Sequence, residues 1–174
     1  DYDSLGNLNR VQDPIGAVST ATYDIRGSRT QWADADAGTW NFTRNSLGEV
    51  VGWTDAKSRS FAAAYDVLGR RISRTEPEGT STWTWGSSAA ARNIGRLQSK
   101  SGLGYAEALA YDGIGRLSTR TITTDQSYRY DYTYNSIGAI DTLTYPTSPV
   151  PTGQTGDRLR LRYSYSFGTP SQID

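Results

Sequence analysis

Four acidic side chains are spaced closely enough to suggest hydrolysis of a glycosidic bond. Glu76 and Glu78 flank Pro77, and Asp34 and Asp36 flank Ala35; a carboxylate pair can share the acid and base roles across a sugar linkage. Lys57-Ser58 and Ser99-Lys100 are the close pairs from which a Ser–Lys nucleophile would be built. Aspartates recurring at Asp3, Asp24, Asp66 and Asp112 offer the oxygen ligands that calcium takes. Trp83, Trp85, Tyr128 and Tyr130 could stack on sugar rings, and Arg158, Arg160 and Arg162 could hold phosphate or sulfated glycan. His, Cys and Met are absent, which removes imidazole bases, thiolates, disulfides and nearly all zinc or haem sites.

The elements that carry these residues argue against most of that chemistry. Glu76-Pro77-Glu78-Gly79 and Asp34 to Gly38 read as turns, where a carboxylate caps backbone N–H groups. Adjacent residues on a strand face opposite ways, so neither Ser–Lys pair converges. One carboxylate per turn is too few for calcium. The expectation is therefore no catalytic residue, no metal, no cofactor and no enzyme activity.

The turns recur. Aligned on Tyr-Asp-x-x-Gly, the chain reads YDSLG from Tyr2, YDIRG from Tyr23, RNSLG from Arg44, YDVLG from Tyr65, ARNIG from Ala91, YDGIG from Tyr111 and YNSIG from Tyr134. The glycines fall at 6, 27, 48, 69, 95, 115 and 138, spaced by 21, 21, 21, 26, 20 and 23 residues. A period of this size signals a repeat architecture. Asp or Asn followed three residues on by Gly marks a type I turn closed by a residue in the left-handed region, a hairpin with a bulge. The predicted turn residues are Asp3, Gly6, Asp24, Gly27, Asn45, Gly48, Asp66, Gly69, Gly95, Asp112, Gly115, Asn135 and Gly138. Aliphatic residues two after the glycine, such as Leu8, Val50, Leu97, Leu117 and Ile140, open the next strand. A second set of turns lies about ten residues further on, at DPIG from Asp13, DADAG from Asp34, TDAKS from Thr54 and EPEG from Glu76.

Between the marks, side chains alternate with period two. Tyr128, Tyr130, Tyr132 and Tyr134 oppose Arg129, Asp131 and Thr133, and Leu159, Leu161, Tyr163, Tyr165 and Phe167 oppose Arg158, Arg160 and Arg162. The aromatics read first as a cross-strand ladder and the arginine stripe as a solvated face. No segment has helical periodicity beyond one turn at 87–92. The prediction is all-β, about fourteen antiparallel strands in tandem hairpins across residues 1–174, in a sheet that curls and leaves edges at 2–11 and 158–167 open to pairing. Lysine and arginine balance aspartate and glutamate at 18 each, so no basic excess points to nucleic acid, and no apolar run reaches membrane-span length.

The recurring YDxxGR[LI] resembles the YD repeats of bacterial Rhs proteins, of the C component of insecticidal toxin complexes, of wall-associated proteins and of teneurins. The resemblance covers the whole chain in seven copies. It implies a segment of a hollow β-sheet shell that encloses a toxin domain, with flanking YD repeats and that domain as partners, in a secreted or cell-surface protein. The family's self-cleavage motif begins Asp-Pro-x-Gly; Asp13-Pro14-Ile15-Gly16 matches that start but lacks the glycine-rich continuation, and reads as an ordinary turn. The alternative is a carbohydrate-binding adhesin using Trp83, Trp85, Tyr128 and Tyr130.

Overall fold

The computed structural model describes residues 1–147, 156–166 and 169–173. They form two compact units, Asp1–Ser81 and Thr82–Asp174. Unit 1 holds β1 (Arg10–Gln12), β2 (Val18–Tyr23), β3 (Arg29–Asp34), β4 (Gly38–Arg44), β5 (Val50–Thr54), β6 (Ser60–Tyr65) and β7 (Arg71–Glu76). β8 (Gly79–Trp85) enters unit 2 at Thr82, followed by β9 (Leu97–Gly102), β10 (Tyr105–Tyr111), β11 (Leu117–Thr123) and β12 (Ser127–Tyr134). β13 (Ile140–Thr147), β14 (Arg158–Ser166) and β15 (Thr169–Ile173) complete it. Strand order follows chain order from β1 to β15, the antiparallel meander expected from the repeats, with one strand more than the fourteen foreseen.

The additional strand changes the C-terminal edge. β15 pairs along β14 from Tyr163↔Ile173 to Ser166↔Thr169, so the raw edge expected at 158–167 is covered over residues 163–166. Phe167 and most of the loop at 146–156 lie outside the described residues. The turn expected at 87–92 is a single hydrogen-bonded turn, Arg92 N–H to Ala89 carbonyl at 3.1 Å, not a helix.

A bulge follows one rule. In each unit the hairpins from even to odd strands shift register at the last residue of the even strand or next to it: Tyr23, Arg44, Tyr65, Trp85, Tyr111, Tyr134 and Tyr165. The extra residue per turn lets the glycine sit at positive φ while the flanking strands stay paired. In a meander these turns share one edge within each unit and the others share the opposite edge.

Several strands, among them β4, β8 and β12, alternate aromatic with polar side chains. In unit 1 Trp32 pairs with Trp40, Phe42 with Trp53, and Trp53 with Phe61; Trp53 and Phe61 stack at 5.2 Å. Behind them Gln31, Asn41 and Thr54 form a hydrogen-bonded row. In unit 2 one row runs Trp83, Lys100, Glu107, Ile122, Tyr128, while the other face joins Thr82 to Ser101, Thr119 to Asp131 and Thr133 to Thr142. Among the described residues Ala63 is the one apolar side chain that is buried. Stability in such a sheet rests on cross-strand pairs rather than on an enclosed core.

Candidate functional site

The motif residues form a clamp at each turn. Asp66 Oδ1 accepts the N–H groups of Leu68 and Arg70 at 2.9 and 3.0 Å, while Oδ2 takes the Arg70 Nε–H at 2.7 Å. Asp112 repeats this with Ile114 and Arg116. Arginine after the glycine is thus the second half of the aspartate's site. The Arg70 guanidinium holds the Asp66 carboxyl below its ordinary range. Burial pushes Asp112 up, but the Arg116 N–H and guanidinium and the Ile114 N–H outweigh it and its pKa is lowered. Asp3 pairs its second oxygen with the Asn7 amide, and the third repeat reverses the donor, Asn45 Nδ2–H to Glu49 Oε2 at 2.6 Å. Asp24 and Asn135 cap two N–H groups each. All seven glycines have positive φ, from 72° to 88°.

A second device ties most repeats to the one before. Tyr23 donates its hydroxyl hydrogen to the Leu8 carbonyl at 2.8 Å, Tyr65 to Val50 at 3.1 Å, Tyr111 to Leu97 at 2.6 Å, Tyr134 to Leu117 at 2.8 Å and Tyr165 to Ile140 at 2.8 Å. Every acceptor lies two residues after the preceding glycine. Where Arg44 replaces tyrosine, its guanidinium donates to the Arg29 carbonyl, at the same offset. Sequence reasoning missed this role, although it left a signal: Phe never takes the position, which is held by Tyr, Arg or Trp, each with a donor at its tip.

The fifth repeat departs from its alignment. The Gly86 N–H bonds the Arg96 carbonyl at 2.8 Å, as the Asp66 N–H bonds Arg70 and the Asp112 N–H bonds Arg116. Trp85-Gly86 therefore stands in the Tyr-Asp place, not Ala91-Arg92, and the residues up to Arg92 are an insertion folded under buried Asn93. Asn93 Oδ1 accepts the Ser88 N–H at 2.9 Å. A Cβ on Gly86 would meet Asn93 Cγ at 2.3 Å, so no other residue fits there without displacement.

The carboxylates considered for catalysis are engaged elsewhere. Asp34 caps Asp36 and Ala37 and accepts the Ser19 hydroxyl; Glu76 pairs with Arg74 at 2.6 Å and Glu78 lies 3.9 Å from Arg59. Lys100 reaches Glu107 Oε2 at 2.8 Å. Asp13 caps Ile15 and Ala17 as an ordinary turn. Among the described residues no three His, Cys, Asp or Glu side chains converge on a metal-sized site.

Of the four aromatics proposed to contact glycan, Trp83 and Trp85 lie on β8 and Tyr128 and Tyr130 on β12, with β9, β10 and β11 between them. All four are half-buried, and Tyr130 meets Tyr145 edge-on at 5.7 Å. Other aromatic faces carry cations: Arg29 over Trp32 and Phe42, Arg74 over Trp53, Arg116 over Tyr134 at 4.3 Å. Glu107, 5% exposed, sits in this face and binds Lys100, Arg120 at 2.6 Å and the Tyr105 hydroxyl at 2.6 Å. Burial opposes its charge, but the three donors prevail and hold its pKa down at about 2. The arginine stripe is not uniform: Arg158 binds Asp131 and the carbonyls of Tyr145, Arg129 and Thr144, whereas Arg160 and Arg162 are exposed. The solvated-face expectation fails for Arg158 because the bulge between Thr144 and Thr147 places it beside that carboxylate.

No protein-family model and no curated protein sequence matches the chain. Among solved structures it superposes on the crystal structures of TcdB2-TccC3-Cdc42 and of TcdB2-TccC3, each with a TM-score of 0.69, 16% identity and 99% of this chain covered. It has the fold of that stretch. The chain spans 12% of the length of those chains. A Photorhabdus luminescens Tc holotoxin pore also aligns over 99% of the chain at 13% identity, with a TM-score of 0.43 that is too low to bear on the fold. No helix among the described residues is long and apolar enough to cross a membrane.

Proposed function

We propose that residues 1–174 are one run of YD repeats in the wall of a secreted or cell-surface, Rhs-like bacterial toxin, and that the wall encloses a toxin domain. The observation that carries this reading is the tyrosine tie. A donor at one fixed position bonds a carbonyl at one fixed offset, so each repeat specifies its neighbour's place rather than shaping a pocket. The turn clamps serve the same end, because Asp66–Arg70 and Asp112–Arg116 pair their charges within one turn. The aligned stretch of TcdB2-TccC3 and the YDxxGR[LI] grammar support the same role, and the flanking YD repeats and the enclosed domain are its partners. A sheet with so little buried apolar surface gains stability from neighbours on either side.

The test uses the parent polypeptide with the domain that follows the repeats. With the repeats intact that domain resists added protease; with Tyr65→Ala and Tyr111→Ala together it is digested at least about tenfold faster, as expected when protection depends on a closed structure that now opens. Equal digestion rates overturn enclosure. The adhesin alternative needs the β8 and β12 aromatics to act on one glycan, and a glycan array on the 174-residue chain separates the two readings.

A further inference from the structure

Two clefts occupy the same place in different repeats, between successive turns of the even-to-odd edge. The cleft in unit 1, about 420 Å³, lies between the turns at Asp24 and Asn45. Its cations are engaged: Arg26 donates to the Ser46 carbonyl at 2.9 Å and Arg44 to that of Arg29, and the Asp24 carboxylate is in the wall. The cleft in unit 2, about 280 Å³, is lined by Ala89, Arg92, Ile94, Arg96, Ile114 and the glycines at 113 and 115. Its lining holds no carboxylate.

The fifth repeat's irregularity explains the difference. Arg96 follows its glycine as Arg70 and Arg116 do, but the Asp place is held by Gly86, so its guanidinium has no ion-pair or hydrogen-bond partner among the described residues. It lies over Tyr111 at 5.5 Å and so close to Gly115 that a Cβ there would stand 3.0 Å from Nη2. Arg92 comes from the insertion, fixed at φ 53° by the Ala89 turn, and its side chain likewise has no partner among them. Ile94 and Ile114 remain 64% and 74% exposed. Two exposed guanidinium groups that make no hydrogen bond or ion pair with the described residues match an anion in bidentate fashion, and two isoleucines beside them match an aliphatic group.

We propose that this cleft binds the C-terminal end of a polypeptide whose last residue is Leu, Ile or Val. The carboxylate meets Arg92 and Arg96, and the aliphatic side chain lies between Ile94 and Ile114. The volume falls just below the range of about 300–1,000 Å³ typical of drug-sized ligands, which suits one residue. A phosphate or sulfate would use the arginines but leave the isoleucines without a role.

The test is titration of the 174-residue chain with a fluorescein-labelled peptide ending in Gly-Ser-Leu with a free carboxylate. C-terminal amidation should weaken binding about tenfold or more, and replacing the last residue by Lys should weaken it about fivefold, since charge-assisted and apolar contacts are each lost. Arg96→Gln and Arg92→Gln should each weaken it about tenfold, while Arg26→Gln in the other cleft leaves it unchanged. Arg92 has no partner among the described residues and Arg96 only the Tyr111 ring, so their variants should melt close to the wild type, and Arg96→Lys should keep part of the affinity. Equal binding of acid and amide, no binding at millimolar peptide, or full affinity in both Arg→Gln variants overturns the proposal. Displacement by isovalerate at concentrations equal to the peptide's overturns the assignment to a chain end.

Discussion

The turns at Trp85–Leu97 and Tyr111–Leu117 both end in Ile-Gly-Arg-Leu, yet the arginine does opposite things in them. Arg116 closes on Asp112 and completes its own turn. Arg96 meets a glycine where the carboxylate should be, and its charge faces a cleft instead. The same residue is structural or available according to what stands at the start of its turn, Gly86 in the fifth repeat and Asp112 in the sixth. A repeat array can thus keep its backbone plan while one unit gives up its internal ion pair.

The largest effect is expected at Glu107, which joins Lys100 on the strand leaving the first turn to Arg120 on the strand leaving the second. Glu107→Gln should cost about 2–3 kcal/mol in chemical denaturation, less than the roughly 3–5 of a fully buried pair, because Lys100 and Arg120 keep about a third of their exposure. The carboxyl's folded pKa, about 2, lies below its ordinary 4.5. Its contribution is complete above pH 4.5 and disappears as the pH falls towards 2. The wild type should lose stability over that window and the variant should show a flatter profile; identical acid profiles would mean that packing, not charge, links the two strands.

Next is Gly86→Asp, which supplies the carboxylate the fifth repeat lacks. Its Cβ would fall 2.4 Å from the Asn93 carbonyl oxygen, so a loss of about 1–3 kcal/mol is expected despite the new partner for Arg96. A gain in melting temperature would show that the insertion does not dictate glycine there. Tyr111→Phe removes one hydroxyl tie and should cost about 0.5–1.5 kcal/mol, with Tyr65→Phe close to it; no change in either would reduce the tie to coincidence. The smallest effect distinguishes the two arginines directly. Arg116→Ala should lower the melting temperature more than Arg96→Ala, which gives up only its contact with the Tyr111 ring, and equal shifts would erase the contrast.

Much of this architecture is legible in the residues themselves. Glycines at 27, 48 and 69 and Asx residues three before them announce a bulged hairpin, because few other residues tolerate that backbone. Alternation in Tyr128 to Tyr134 fixes which side chains share a face. The tyrosine ties are legible only in their donors, a position that never holds Phe, since their acceptors belong to the previous repeat and are found only once register is known. The fifth repeat misleads because Asn93-Ile94-Gly95 matches the motif's ending while the hydrogen bond from Gly86 defines its beginning. β15 carries no tyrosine–aspartate pair, and Pro170 argues against a central strand but suits an edge. Glu107 leaves a trace: it shares parity with Tyr105, Leu109 and Tyr111, where a charge needs partners.

The tyrosine ties also bear on how the array would respond to tension. Each tie and its bulged hairpin belong to neighbouring repeats, so repeats held only by nearest neighbours should peel away one at a time when the chain is drawn from one end. A repeat of 21 residues releases about 70 Å of extended chain when it comes free. Within each unit, stretching would then give a sawtooth of nearly even teeth, interrupted at the fifth repeat by a longer step from its insertion.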